Sequence, residues 1–213
     1  FFLYVGTNSG LYRWFVPEGS ENWTASPTAV FAGRVDNIVI SKPNHTAFFS
    51  SGNQLYRIGD VAASTPRAIN ISENNTAFGG SNVALKLAVS QTDTTFLYVM
   101  VINQNGLMDA IYMTNNEQTW YTLTTSTVMP LTNNDGRYCG ALAVDPSNPR
   151  RVIVGGSDVL VGQGYTDGSY YQWTTASANE FTLNYGDYMS TVFNSTSFVH
   201  SGIHQILPVY HLD

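Results

Sequence analysis

Short apolar stretches alternate with polar turns along the whole chain. Residues 3–6 and the tyrosine-bearing residues 10–13 have close counterparts 44 positions later, at residues 47–50 and 54–57. No stretch keeps apolar residues at the helical spacing of i, i+3, i+4 and i+7 without Gly, Pro or clustered β-branched residues, so the pattern predicts strands. The recurrence predicts that these strands belong to a structural repeat.

A second recurring block is an apolar strand followed by a polar turn, which contains proline in the first and third copies. It occurs at residues 38–40, 87–89 and 142–144, with spacings of 49 and 55 residues. Each unit combines this apolar strand with the two strands of the first repeat and a final Thr-rich strand. Four short strands in about 50 residues are typical of a β-propeller blade. A β-sandwich is the alternative, since it also has many short strands, but it does not require the same strand sequence to recur.

The predicted fold is an all-β propeller forming a single domain, with four-stranded blades of about 50 residues. About four blades' worth of strands are present. We expect a segment of a seven- or eight-bladed ring completed by further chain or by a partner, with a closed four-bladed ring as the alternative. The predicted blades are residues 1–34 (partial), 35–82, 83–139, 140–199 and 200–213 (first strand of the next blade).

Composition excludes several classes of function. Of the 213 residues only 11% are charged, against about 25% in average proteins, and the net charge of −6 lacks the basic footprint of a nucleic-acid-binding protein. No apolar run approaches the length of about 18 residues that a membrane helix needs. The single cysteine, Cys139, excludes an intramolecular disulfide. Because so few residues are charged, the surface must be rich in Ser, Thr and Asn. This composition favours a secreted or cell-surface protein.

Two segments match the spacing of a Ser/Thr-x-Asp-x-Gly-x-x-Trp pattern between a third and a fourth strand, with Glu or Asn in place of Asp. A third segment has the Asp and Gly of the pattern but one extra residue before its tryptophan. The residues concerned are Glu18, Trp23, Asn115, Trp120, Asp167, Gly168 and Trp173. The chain thereby resembles Asp-box (BNR) propellers of the sialidase and sortilin type, of the kind found in large secreted or cell-surface proteins of Bacteroidetes-type bacteria.

The resemblance implies structural roles for these residues. The Asp-box carboxylate accepts main-chain hydrogen bonds within the turn, and the tryptophan packs between neighbouring sheets. Residues 141–156 also resemble a strand-turn-strand segment of such propellers. Trp14 lies outside the pattern beside Phe15, which faces the other side of the strand, so Trp14 is the candidate for ligand binding. The likeness specifies a scaffold more than a chemistry.

His200 and His204 are the candidate metal ligands. On a strand, residues four apart share a face but lie about 13 Å from each other, so one ion would need a bend at residues 201–202. Residues 133–136 contain oxygen ligands suited to Ca²⁺, yet the same run is an ordinary turn signal. We expect neither a metal site nor another cofactor.

Candidate catalytic residues gather near the starts of the innermost strands. Asp36 begins one of these strands beside Arg34, while Arg137 and Tyr138 precede another. An arginine cluster with a tyrosine nucleophile and an acid is the set that sialidases use, and the two arginines could bind an anion near the axis. The corresponding place in the intervening blade, residues 81–82, has Ser and Asn, so the arginine set is incomplete.

These observations favour a non-catalytic binding module for a glycan or protein ligand. One alternative is a propeller-type glycoside hydrolase, sialidase-like or xyloglucanase-like. The other alternative is a passive scaffold domain of a larger exported protein. Neither a nucleic-acid partner nor a membrane span is expected.

Overall fold

The computed structural model describes residues 1–19, 26–73, 78, 82–93, 95–125, 135–156, 158–164, 171–177, 203, 205 and 206. All fifteen regular elements that these residues form are β-strands, arranged in four antiparallel sheets. Within these ranges no helix has the length and hydropathy needed to cross a membrane.

Each sheet consists of strands that are consecutive in the chain. The first contains β1 (Phe2–Gly6), β2 (Gly10–Phe15) and β3 (Thr28–Ala32). The second contains β4 (Asn37–Ser41), β5 (Thr46–Ser51), β6 (Gln54–Ile58) and β7 (Ala68–Asn70). The third contains β8 (Asn82–Val89), β9 (Leu97–Asn103), β10 (Met108–Thr114) and β11 (Tyr121–Thr125). The fourth contains β12 (Ala141–Asp145), β13 (Asn148–Gly155), β14 (Val159–Gly164) and β15 (Tyr171–Ser177).

The sequence repeat corresponds to a repeat in space. Leu11, Leu55 and Ile111 lie on β2, β6 and β10, and each is fully buried. Because side chains alternate between the two faces of a strand, a shared register places the same residue type against the core in successive sheets. The recurring apolar-Tyr pair therefore marks one strand of each blade, which is β2, β6 or β10, and it marks the residue of that strand that packs in the core.

The hydrophobic core is divided among three clusters, one between each pair of successive sheets. Large members of the three clusters are, in chain order, Leu11 and Phe49, Leu55 and Leu87, and Ile111 and Val152. Each sheet thus buries apolar side chains against its neighbour, which provides the main stabilising free energy of the fold.

Strands β4, β8 and β12 occupy the inner position. Each lies at the edge of its sheet, and β8 contacts both β4 and β12. The first strands of successive sheets therefore meet, and the remaining strands extend outward, which is the arrangement of propeller blades. The predicted all-β propeller with four-stranded blades is confirmed by the second, third and fourth sheets, while the first sheet has three strands among the described residues. The number of blades in a complete ring stays a prediction.

Candidate functional site

A cavity of about 680 Å³ runs between the three inner strands. We call it the axial cavity; residues 37–40 of β4, 86–89 of β8 and 140–144 around β12 line it, together with Gln205 and Ile206. Consecutive residues of each strand line the cavity, although consecutive side chains point to opposite faces of a sheet. The part of each strand that faces the cavity is therefore its edge. Main-chain N–H and C=O groups at such edges are available to a ligand.

Gln91 links two of these strands at one end of the axial cavity. Its Nε2 donates a hydrogen bond to the carbonyl of Ile40 at 2.8 Å, and its Oε1 accepts one from the main-chain N–H of Lys42 at 3.2 Å. The side-chain amide therefore pairs with the edge of β4 as a neighbouring strand would. This contact fixes the spacing of β4 and β8 at that end of the cavity.

A second cavity, of about 340 Å³, adjoins the axial cavity through Lys86, which lines both. Its charged lining residues are Arg34, Asp36, Lys86 and Arg137. We call these four residues the charged mouth. They come from three sheets and their preceding loops, so the fold brings together groups that are about a hundred residues apart in the chain.

Asp36 is held in place by its surroundings. Its Oδ1 forms an ion pair with Nε of Arg34, and its Oδ2 accepts a hydrogen bond from the main-chain N–H of Gly52 at 2.8 Å. The Asp36 side chain is 11% exposed, whereas that of Arg34 is 70% exposed. Gly52 has a φ of 59° in the turn between β5 and β6, a conformation that suits glycine. Asp36 therefore orients an arginine that remains accessible to a ligand.

Lys86 supplies the third positive charge, which the sequence analysis missed. It lies on β8 between the buried residues Leu85 and Leu87, and its Nζ donates a hydrogen bond to the main-chain carbonyl of Arg137 at 3.0 Å. Burial lowers the pKa of Lys86, and the negative charge of Asp36 acts in the opposite direction, as does Cys139 once its thiol is ionised. The available signal was a lone lysine within an otherwise apolar strand.

Arg137 is positioned by a compact turn before β12. The main-chain N–H groups of Tyr138 and Cys139 both donate to the carbonyl of Asp135, at 2.7 and 2.8 Å. The turn is fastened to the loop between β9 and β10, because Nη2 of Arg137 donates to the carbonyl of Gln104 at 3.3 Å. Burial raises the pKa of the Cys139 thiol, and Asp135 raises it further.

The structure gathers three of the four predicted catalytic candidates. Arg34, Asp36 and Arg137 line the charged mouth, but Tyr138 does not and is 72% exposed. Neighbouring residues of a turn point in different directions, so adjacency to Arg137 in the sequence does not place the phenol at the site. Tyr138 thus lies outside the lining of the charged mouth, and a catalytic role for these four residues stays a prediction.

The turn between β10 and β11 is capped by a side-chain amide. Oδ1 of Asn116 accepts hydrogen bonds from the main-chain N–H groups of Gln118 and Thr119, at 2.9 and 2.7 Å. The capping side chain is thus Asn116, one residue after the predicted Asn115. In the Ser/Thr-x-Asp pattern the capping residue lies two positions after the Ser or Thr, and two positions after Thr114 is Asn116. The predicted Asn115 was instead placed by its distance from Trp120.

Two of the predicted structural tryptophans pack within the described core. Trp120 contacts Phe78 edge to face, with ring centroids 4.8 Å apart, at the cluster between the second and third sheets. Trp173 lies on β15 against the cluster between the third and fourth sheets. Glu18 lies in the turn after β2. Predicted residues outside the described ranges are Trp23, Asp167, Gly168, His200 and His204.

The candidate ligand residue Trp14 is remote from both cavities. It lies half-buried on β2, with its ring centroid 6.4 Å from that of Tyr12, and it lines neither cavity. Its neighbour Phe15 is 47% exposed. For metals, no three His, Cys, Asp or Glu side chains of the described residues converge on one point.

Comparison with known proteins supports the fold. No family model and no curated protein matches the sequence. Among solved structures, a candidate 6-phosphogluconolactonase from Bacteroides uniformis is similar, with a TM-score of 0.52, 12% identity, and coverage of 78% of this chain and 48% of that one. A luciferin-regenerating enzyme has a TM-score of 0.51, 12% identity, and coverage of 83% and 57%. The chain thus spans about half the length of these structures, and at this identity the likeness concerns the fold alone.

Proposed function

We propose that the chain is a binding module of a secreted or cell-surface protein and takes a glycan or an extended peptide in the axial cavity. The observation that carries this proposal is the cavity itself, about 680 Å³ of space between β4, β8 and β12. Ligand pockets generally have volumes of about 300–1,000 Å³. Apolar walls and a few polar groups at the ends are also typical of such pockets.

The lining suits a ligand rich in hydroxyl or amide groups. Strand edges offer main-chain donors and acceptors, and the small side chains of Ala88, Ala141 and Ala143 leave room beside them. Gln91 holds β4 and β8 at a fixed spacing, so part of the site is organised before a ligand arrives. Preorganisation reduces the entropy lost on binding.

Binding is favoured over catalysis by the state of Asp36. A glycoside hydrolase needs one carboxyl group that exchanges a proton and a second that acts as nucleophile or base. The Asp36 carboxylate is engaged by Arg34 and by the N–H of Gly52, an arrangement suited to orienting an arginine. We therefore assign Asp36 a positioning role.

The proposed location outside the cytoplasm follows from composition and from the Asp-box resemblance. Only 11% of residues are charged, and the surface relies on Ser, Thr and Asn. The turn with Asn116, together with the inter-sheet packing of Trp120, has the form that such repeats take. Membership of an Asp-box family is part of the proposal.

The experiment measures retention on a glycan array and on a library of displayed peptides. Gln205→Trp should fill the axial cavity from an exposed lining position and reduce affinity at least tenfold. Gln172→Trp makes the same change at an exposed position of β15 outside the cavity and should bind as the unchanged protein does. Equal binding by the two variants, or turnover of a retained glycan, would refute the proposal; retention on neither surface would favour the scaffold alternative.

A further inference from the structure

We propose that the charged mouth is an oxyanion subsite, which holds a carboxylate or phosphate group. In the complete site this group would belong to the ligand in the axial cavity, and to that extent the inference rests on the proposed function. The four residues of the charged mouth would nevertheless bind a small anion by themselves, so the two proposals can fail separately.

Positive charge is concentrated at the charged mouth. The whole chain has nine Lys and Arg residues against fifteen Asp and Glu. Three of those nine, Arg34, Lys86 and Arg137, line one cavity of about 340 Å³, together with a single carboxylate, Asp36. The formal charge of the four is +2 in a chain of net charge −6. An oxyanion entering the cavity would balance this local excess, since a confined site of one sign attracts the opposite charge.

The three cations of the charged mouth keep unused hydrogen-bond donors. Among the described residues Arg34 uses Nε on Asp36, Arg137 uses Nη2 on the carbonyl of Gln104, and Lys86 uses Nζ on the carbonyl of Arg137. A guanidinium has five N–H donors and an ammonium has three. Each cation therefore retains donors for a ligand. Paired donors on a guanidinium match two oxygens of a carboxylate or phosphate.

Lys86 is partly buried. Its ammonium is partly removed from water, and its one hydrogen-bond partner among the described residues is a neutral carbonyl. The charged groups around it are Asp36, which is already paired with Arg34, and the like charges of Arg34 and Arg137, while the titratable thiol of Cys139 lies nearby. Burial lowers the pKa of Lys86, so a bound anion would stabilise its charged form and raise that pKa again.

The test uses the fact that the chain has only two lysines, Lys42 and Lys86. Biosynthetic incorporation of ¹³C-labelled lysine labels both side chains without changing their ammonium donors, and a Lys86→Arg sample assigns the signals by NMR. Titration with inorganic phosphate and with acetate should shift the Lys86 signal along a saturable curve and raise its titration midpoint. The Lys42 signal should stay in place. The two anions report separately on phosphate and carboxylate sources.

Two variants separate anion binding from folding. Arg137→Gln should weaken phosphate binding at least tenfold, whereas Arg67→Gln, at another exposed arginine, should not. Lys86→Met should abolish binding while keeping or raising the melting temperature, because a partly buried charge is replaced by an apolar chain of similar length. Equal shifts at Lys42 and Lys86, or unaltered binding by Arg137→Gln, would overturn the proposal. Anion binding without retention of any glycan or peptide would support this subsite and contradict the proposed function.

Discussion

Tyr4 on β1 and Tyr98 on β9 occupy equivalent positions in two blades, and each donates its phenolic hydrogen to a main-chain carbonyl of the next blade. The acceptors are Val61 and Pro149, both at 2.7 Å. Because Tyr98 has given its only hydrogen to Pro149, the hydroxyl of Tyr171, which lies 2.7 Å away, must donate to Tyr98. A tyrosine-to-carbonyl bond thus connects successive sheets at two places in the propeller.

This direction of donation predicts unequal effects of removing the two hydroxyls. Tyr98→Phe leaves the Pro149 carbonyl without its donor and the buried Tyr171 hydroxyl without its acceptor, so we expect the free energy of unfolding to fall by about 2–3 kcal/mol. Tyr171→Phe removes only the hydrogen bond that the Tyr98 hydroxyl accepts, while Tyr98 still donates to Pro149. This variant should lower the free energy of unfolding by about 1 kcal/mol. Urea-induced unfolding at neutral pH measures both. Equal losses in the two variants would show that the donor assignment is wrong.

Arg13 makes a different connection between the first and second sheets. It is buried, its Nη1 and Nη2 donate to the carbonyls of Ala63 and Ser64, at 2.5 and 3.1 Å, and its guanidinium carbon lies 4.5 Å from the centroid of the Phe2 ring. Lysine cannot reproduce the planar fork, so Arg13→Lys should lower the free energy of unfolding by about 1–2 kcal/mol. The loop of residues 59–67 should also become more sensitive to limited proteolysis.

The matched control for Arg13→Lys is Arg67→Lys, which makes the same change at an exposed position. That variant should unfold at the same urea concentration as the unchanged protein. If both variants lose the same stability, the contacts of Arg13 with the second sheet do not explain its contribution.

Arg57 occupies the position of Arg13 one blade later, and its partner predicts a pH dependence. Its Nε lies 3.1 Å from Oε1 of Glu117, in the turn between β10 and β11. Burial raises the pKa of Glu117, and the attraction of Arg57 only partly opposes this. The folded state therefore binds the Glu117 proton more tightly than the unfolded chain does, so this contribution to stability is fully present below the unfolded pKa and decreases as pH rises through the folded pKa.

Glu117→Gln removes that titration. As the pH rises from below the pKa of an ordinary glutamate to neutrality, the variant should gain stability relative to the unchanged protein, because only the unchanged protein has to release this proton. Urea unfolding at a series of pH values gives the comparison, with Glu18→Gln, in the turn after β2, as the control carboxyl change. A relative gain by the unchanged protein on going to pH 7 would mean that the ion pair outweighs desolvation.

The blades could be predicted from the sequence because their signal is local and repeated. The apolar-Tyr pair placed Leu11 and Leu55 at one register, and the structure buries both completely, with Ile111 equivalent to them. Strand alternation converts such a pattern directly into a buried face. The number of blades in the ring depends on sequence repeated elsewhere, which no single blade encodes.

The charged mouth was only partly predictable because it forms from three sheets at once. Arg34, Asp36 and Arg137 stood at the starts of inner strands and were identified there. Lys86 was missed because it lies inside an apolar strand, and only the meeting of β4, β8 and β12 turns a buried-strand position into a cavity wall. The capping residue of the turn between β10 and β11 was predicted one position too early, at Asn115 instead of Asn116. The prediction counted back from Trp120, whereas the hydrogen bonds of a turn depend on the position of its first residue.

Gly162 and Trp173 face each other across β14 and β15, and their contact predicts a coupled effect on stability. They are directly paired in register, and a Cβ atom at Gly162 would lie 2.8 Å from the six-membered ring of Trp173. Gly162→Ala should therefore force the ring or the strand to move and cost about 1–3 kcal/mol.

The same change should cost much less when Trp173 is replaced by Phe, because the ring atoms nearest to Gly162 are then absent. Nε1 of Trp173 has no hydrogen-bond partner among the described residues, so Trp173→Phe removes packing without removing a bond there. A double-mutant cycle measured by urea unfolding isolates the pairwise free energy, and we expect a coupling of about 1 kcal/mol or more. If the two changes are additive, the cost of Gly162→Ala arises from the strand backbone and not from contact with the tryptophan ring.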